Sequence, residues 1–119
     1  MTREQLPPRR EHITQKVKIG ALRTLYLSVN SETAPQEFFL RVKGVADDEK
    51  VAAYDTIARL ISLAVQSGVP VEAIGKVLYQ TQDSTRGAVR GDAHIRFSGG
   101  TIDYIGQHLL VYYAGWDDL

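Results

Sequence analysis

The stretch Ile13-Thr14-Gln15-Lys16-Val17-Lys18-Ile19, followed after Gly20-Ala21 by Leu25-Tyr26-Leu27-Ser28-Val29, decides the fold. Successive side chains of an extended chain point to opposite sides. Ile13, Gln15, Val17 and Ile19 therefore share one face, and Thr14, Lys16 and Lys18 the other. Leu25, Leu27 and Val29 alternate in the same way with Thr24, Tyr26 and Ser28. Each run predicts a strand with one wet face. Asn30 to Pro35 is turn chemistry. Glu37 to Lys43 predicts a third strand with Phe38, Leu40 and Val42 on one side. The links are short, so the three strands form an antiparallel meander. None has an internal proline, so any of them can sit centrally.

Beyond the meander the period lengthens. Asp47 or Asp48 can cap a helix that runs to about Gln66. Val51, Tyr54, Ala58, Ile61 and Val65 keep the 3/4 spacing of a core stripe. Leu60, Leu63 and Ala64 widen that stripe after Ile57, which predicts burial on more than one side. Ser67-Gly68 stops the helix. Pro70 suits the first turn of a second helix, with Ile74, Val77 and Leu78 inward. Residues 80–100, rich in glycine and small polar side chains, read as a loop with a short strand at His94–Phe97. Ser98 or Thr101 can cap a last helix whose buried stripe is Ile102, Ile105, Leu109 and Tyr112. Tyr112, Tyr113 and Trp116 need a cover, from this chain or a second copy. The expected class is α+β: a three-stranded antiparallel meander followed by two helices, a Gly-rich loop or short strand and a C-terminal helix. Residues 1–12, with Pro7-Pro8 and Arg9-Arg10, read as an arm, and residues 13–119 as one domain.

The chain has 119 residues, enough for one hydrophobic core and too few for two. Its 44% hydrophobic and 24% charged residues exclude a mostly disordered chain. No apolar run approaches the ~20 residues of a membrane span, and the N-terminus lacks the apolar stretch of a secretory signal. A cytoplasmic location is the expectation. There is no cysteine, hence no disulfide, thiolate nucleophile or cysteine zinc site. Fourteen Lys/Arg balance fourteen Asp/Glu, which argues against wrapping duplex DNA. The balance is uneven. Residues 1–43 carry eight Lys/Arg against four Glu, while residues 44–79 and 80–119 each carry three against five acids. Any anion site must be a local cluster.

No enzymatic constellation stands out. His12, His94 and His108 form no zinc-type spacing, no phosphate-loop or nucleophile-elbow motif is present, and no cofactor is expected. Asp92 and His94 are two apart, which equally suits a solvated loop pair. The segment Asp83-Ser84-Thr85-Arg86-Gly87-Ala88-Val89-Arg90-Gly91 suits phosphate or carboxylate recognition. Arg supplies a planar fork of donors, Gly lets backbone N–H groups approach, and the hydroxyls add donors. Arg86 and Arg90 are the first candidate ligand contacts, with Ser84 and Thr85 assisting and Arg96 and Arg41 as second choices. The same composition also fits a loop whose glycines only turn the chain. Thr14, Lys16 and Lys18, with Tyr26 and Arg41 on nearby strands, form a candidate basic, aromatic-bearing patch; ordinary solvent-facing strand residues would look the same.

Several segments resemble the TSCPD-type domain that closes the chain of cobalamin-dependent (class II) ribonucleotide reductases. They are Leu6-Pro7-Pro8-Arg9-Arg10, Ile13-Thr14-Gln15-Lys16, Tyr26-Leu27-Ser28-Val29, Glu37-Phe38-Phe39-Leu40-Arg41 and Asp103-Tyr104-Ile105. The most specific is Ile61-Ser62-Leu63-Ala64-Val65-Gln66-Ser67-Gly68-Val69-Pro70. The likeness runs in order from about residue 6 to 110. The cysteine-bearing motif that names the family has no counterpart here, so its metal or redox role does not carry over.

A detached, cysteine-free form of such a domain implies binding. The leading expectation is a non-enzymatic homo-oligomer that binds a small phosphorylated nucleotide, without membrane or duplex nucleic acid as partner. By analogy of size with small phage proteins, it would be a sponge for a cyclic nucleotide or cyclic ADP-ribose signal of an immune system such as Thoeris. The alternative is an accessory or regulatory domain that docks on a ribonucleotide reductase. A hydrolase built on Asp92 and His94 ranks last.

Overall fold

The computed structural model describes residues 11–21, 23–31, 34–45 and 47–117. Residues 1–10 of the expected arm, including Leu6 to Arg10, lie outside them. The meander forms as its alternation predicts: β1 is Ile13–Ile19, β2 is Arg23–Val29 and β3 is Phe38–Lys43. Asn30 shapes the β2–β3 turn, its side-chain carbonyl accepting from the amides of Gln36 and Glu37. Helix α1, Asp48–Gln66, begins at Asp47, whose carboxylate accepts from the Glu49 amide. It ends where Gly68 takes a φ of 91°, a conformation that costs glycine little. Pro70 precedes α2, Val71–Leu78, and α3 is Thr101–Tyr113.

The segment between α2 and α3 is more regular than its composition suggests. It holds two strands, β4 (Gly87–Arg90) and β5 (Phe97–Ser98), rather than one at His94–Phe97. β4 adds to the free edge of β1, with Lys18 opposite Arg90 and Ile19 opposite Val89. The sheet order is β3-β2-β1-β4-β5, with every neighbouring pair antiparallel. Sequence alone hides β4 because only Val89 of its four residues is apolar and buried.

Helices α1 and α3 pack on one face of this sheet, and α2 packs against α3. Val17, Ile19, Leu25 and Val89 pack with Ile95 and Tyr104. Leu27, Val29 and Phe38 pack with Ile61 of α1 and with Ile105 and Leu109 of α3. Ser62 is a core residue, its hydroxyl bonded to the amide and carbonyl of Phe38 and to the Ala58 carbonyl. The α1 stripe is narrower than its spacing predicts. Val51, Leu60 and Leu63 stay exposed, because only the Ala58–Ile61 side meets the sheet. The terminal aromatics find their cover within the chain. Trp116 lies edge-on to Tyr79, with the Lys76 ammonium over its ring, and Tyr113 lies edge-on to Phe38.

Helix α3 is buried on nearly every side. It can lie this deep because Gly106 faces the end of α2. A Cβ there would sit 2.5 Å from the Tyr79 amide nitrogen and 2.8 Å from the Leu78 carbonyl carbon. Gly75 makes the reciprocal approach to Leu110. Gly106→Ala is expected to force the helices apart and to cost about 1–3 kcal/mol, read as a lower urea midpoint.

His108 lies within α3, 5% exposed, with rings of Tyr104, Tyr112 and Tyr113 within 6 Å. Burial lowers its pKa from 6.5 to about 4, against the opposing pull of the Asp92 carboxylate. Between these values the unfolded chain binds more protons than the folded one. Stability is therefore full above about pH 6.5 and declines toward pH 4, by roughly 3 kcal/mol in all. The melting temperature is expected to fall over this window, and His108→Phe to flatten that part of the profile.

Candidate functional site

The face of the sheet opposite the helices carries no part of the core. Strand register arranges its side chains in rows. Thr14, Ser28 and Phe39 form the first; Lys16, Tyr26 and Arg41 the second; Lys18, Thr24 and Lys43 the third. Pairing of β4 with β1 extends the third row by Arg90. Five cations thus share this face with one tyrosine. The Lys16 and Lys43 ammonium groups stand 5.7 and 5.5 Å from the Tyr26 ring centre. The hydroxyls of Thr14 and Ser28 bond at 2.8 Å. These rows hold no acidic side chain, and among the described residues none of the five cations has a carboxylate within ion-pair distance. Asp47, Asp48, Glu49, Asp55 and Glu72 lie instead on or beside α1 and α2. The patch anticipated from Thr14, Lys16, Lys18, Tyr26 and Arg41 is assembled. Lys43 and Arg90 were the missed members: β3 alternation signalled the first, whereas the second depends on the hidden strand.

The remaining candidate contacts are distributed. Arg86 is exposed just before β4, and its backbone lies against the Gly20 turn. Arg90 donates from Nη2 to the Gly20 carbonyl at 3.2 Å. Ser84 is exposed in the turn before β4. Thr85 is occupied: its hydroxyl donates to Asp83 at 2.5 Å and accepts from the Thr101 amide at the start of α3. That pair tethers the loop to a helix N-terminus and places a carboxylate where a phosphate cradle would need donors. Arg41 lies three strands from Arg90, roughly 14 Å at ordinary strand spacing. Arg96 lines a different feature, a cleft of about 350 Å³ beside α3 that also includes His94, Phe97, Gln82 and Gln107.

Two buried carboxylates organise the segment between α2 and α3. Asp103 Oδ2 accepts from the Gly99 amide at 2.8 Å, Ser98 Oγ at 3.1 Å and Gln107 Nε2 at 2.6 Å, while Oδ1 accepts from the Gln80 amide. Asp92 accepts from the amides of His94 and Ile95 and from the hydroxyls of Tyr104 and Tyr112, both at 2.8 Å. Burial alone would raise the Asp92 pKa, but these four bonds outweigh it and hold the group below its ordinary value. Burial raises both tyrosines, and the Asp92 carboxylate raises them further. Asp92 therefore meets the backbone of His94, and its side-chain partners are tyrosines. The His94 ring instead lies edge-on to Tyr112 at 5.6 Å. The pair that might have formed an acid–base dyad is a turn clamp. The sequence signal for Asp103 is a carboxylate in the first helical turn, three residues after Gly99-Gly100.

Among the described residues no helix is long and apolar enough to cross a membrane. Comparison with known proteins covers nearly the whole chain. Residues 1–113 match the TSCPD domain. The vitamin B12-dependent ribonucleotide reductase of Agrobacterium fabrum is 32% identical over 121 residues, covering 98% of this chain and 9% of that protein. The enzyme of the same name from Bradyrhizobium diazoefficiens is 26% identical over 131 residues, with the same two coverages. The chain thus spans about a tenth of the length of these relatives. No solved structure matches. With a family match over residues 1–113, nearly its whole length, the chain belongs to the TSCPD domain family.

Proposed function

We propose that this chain is a non-catalytic accessory domain that associates with a B12-dependent ribonucleotide reductase in the cytoplasm. One observation carries the reading: 98% of the chain aligns with 9% of such an enzyme, so the likeness is to one short segment of it. The internal chemistry agrees. The buried Asp92, Asp103 and His108 serve packing and turn geometry, and the Asp92–His94 pair lacks the side-chain contact that proton transfer would need. The test mixes the purified chain with a B12-dependent reductase whose own matching domain has been deleted. Light scattering is expected to show a defined complex at micromolar concentrations. Absence of a complex with both the trimmed and the intact enzyme would sink the reading.

A second reading, a homo-oligomeric binder that sequesters a small phosphorylated nucleotide such as a cyclic immune signal of the Thoeris type, is favoured by the cleft. Its volume lies at the lower end of the range for small-molecule sites, and Arg96 lines it beside the aromatic rings of His94 and Phe97. Titration calorimetry with cyclic mononucleotides, cyclic dinucleotides and cyclic ADP-ribose is the check. Binding weakened at least tenfold by Arg96→Ala, with intact ligand recovered after heating, supports a sponge. Altered ligand identifies an enzyme. Arg86→Ala is expected to leave this site unchanged, because Arg86 is not among the residues lining the cleft.

A further inference from the structure

We propose that the open face of the sheet binds single-stranded nucleic acid, with Tyr26 as the stacking platform and Lys16, Lys18, Arg41, Lys43 and Arg90 as phosphate contacts. This inference concerns the sheet rather than the cleft and does not depend on association with a reductase.

The arrangement of the rows carries it. A sheet face used only for solubility would mix both signs of charge, since like charges directly opposite destabilise a strand pair. Here Lys18 stands opposite Arg90, and the two lower rows contain cations, Thr24 and Tyr26 only. The chain as a whole is neutral, and five of its fourteen acids, Asp47, Asp48, Glu49, Asp55 and Glu72, lie on or beside α1 and α2. A polyanion therefore meets an attractive local field on this face.

The aromatic at the centre distinguishes the nucleic-acid reading from simple anion binding. In the free protein the Lys16 and Lys43 ammonium groups lie over the Tyr26 ring. Both side chains are long and flexible. A base arriving on the ring displaces them toward the phosphates on either side of that nucleotide, so cation–ring contacts are exchanged for base stacking and phosphate contacts. Thr24, Ser28 and Thr14 add hydroxyls within one strand spacing. Phe39, 49% exposed with the His12 ring edge-on to it, extends the aromatic surface in the first row.

Single strands fit better than the other polyanions. Duplex recognition needs a projecting helix or a narrow ribbon to enter a groove. This surface is the broad face of a sheet whose central strands are flanked on both sides. Base faces are available for stacking only where the strand is unpaired. An acidic protein partner would use the cations but leave the ring without a planar counterpart. Interface cores are depleted of charge, and these two rows are dominated by it.

The experiment is fluorescence anisotropy of the full chain with a labelled oligothymidylate of about 12 nucleotides. Competitors are unlabelled RNA of the same length, the matching duplex and linear polyphosphate of equal charge. Expected is micromolar binding at low salt. The logarithm of affinity should fall with the logarithm of salt at a slope of about −3, from four to five phosphate contacts on a single strand. Tyr26→Ala should weaken binding roughly tenfold at an unchanged slope, and Tyr26→Phe should restore it. Lys16→Gln combined with Lys18→Gln should reduce the slope by about 1.4. These lysines are exposed, so the double variant tests the face even if Tyr26→Ala fails to fold.

No binding at low salt overturns the proposal. So does polyphosphate competing as well as the oligonucleotide while Tyr26→Ala has no effect, since that is charge attraction alone. Preference for duplex overturns it too. If the lysine variants abolish association with a reductase and the oligonucleotide does not bind, the face is a protein-docking surface and the proposal is wrong. Oligonucleotide binding without any reductase complex leaves this inference standing and removes the accessory reading.

Discussion

The structure depends on the Asp103 carboxylate, 2% exposed in the first turn of α3. Burying a carboxylate is costly unless its oxygens are hydrogen-bonded, and leaving it unpaired would cost several kcal/mol. Four donors meet this one, from Gln80, Ser98, Gly99 and Gln107. Three of the four belong to the connection between α2 and α3. The helix N-terminus adds its own favourable field for a negative charge. The carboxylate thus fixes where the chain leaves α2 and where it enters α3. The connection in between has little freedom left, and this makes a glycine-rich segment a pair of strands. Asp92 repeats the device at the other end of the hairpin, with two backbone and two tyrosine donors.

The consequence reaches the far side of the sheet. Once the hairpin is fixed, β4 completes the edge of β1, and Arg90 joins the cations opposite the helices. The helix side and the open side are therefore coupled through a few polar contacts. The same coupling explains why α3 tolerates so much polar content in its buried surface. Thr101, Asp103, Gln107 and His108 face the hairpin or neighbouring rings, whereas Ile105 and Leu109 face the sheet core.

Legibility in the sequence followed the type of force. Strands β1 to β3 and both ends of α1 were readable because they rest on local rules: alternation, an Asp cap, a glycine stop. Positions set by contacts distant in sequence were not. Nothing near Gly87–Arg90 announces a strand, since one partner, β1, lies about 70 residues earlier and the other, β5, is only two residues long. The role of Gly106 and Gly75 is set only where α2 and α3 meet. Thr85 reads as a free hydroxyl, yet its partner Thr101 is sixteen residues away. The candidate surface divides the same way. Lys16, Lys18, Tyr26 and Arg41 share a face by alternation alone, while Arg90 needed the tertiary pairing.

The basic rows are not something the fold requires. Strands with one buried face must be polar on the other, but any mixture of signs would satisfy that demand. Directly opposed like charges cost a sheet roughly 0.2–1 kcal/mol per pair, and an acid at position 18 or 90 would reverse that sign. Tyr26 likewise lies outside the hydrophobic core, to which Leu25 and Leu27 contribute on the other face of β2. A surface that gives up stability it could have had, around an aromatic ring outside the core, is best understood through what it contacts outside the molecule. The helices and their carboxylate-held hairpin then serve to hold that surface in register.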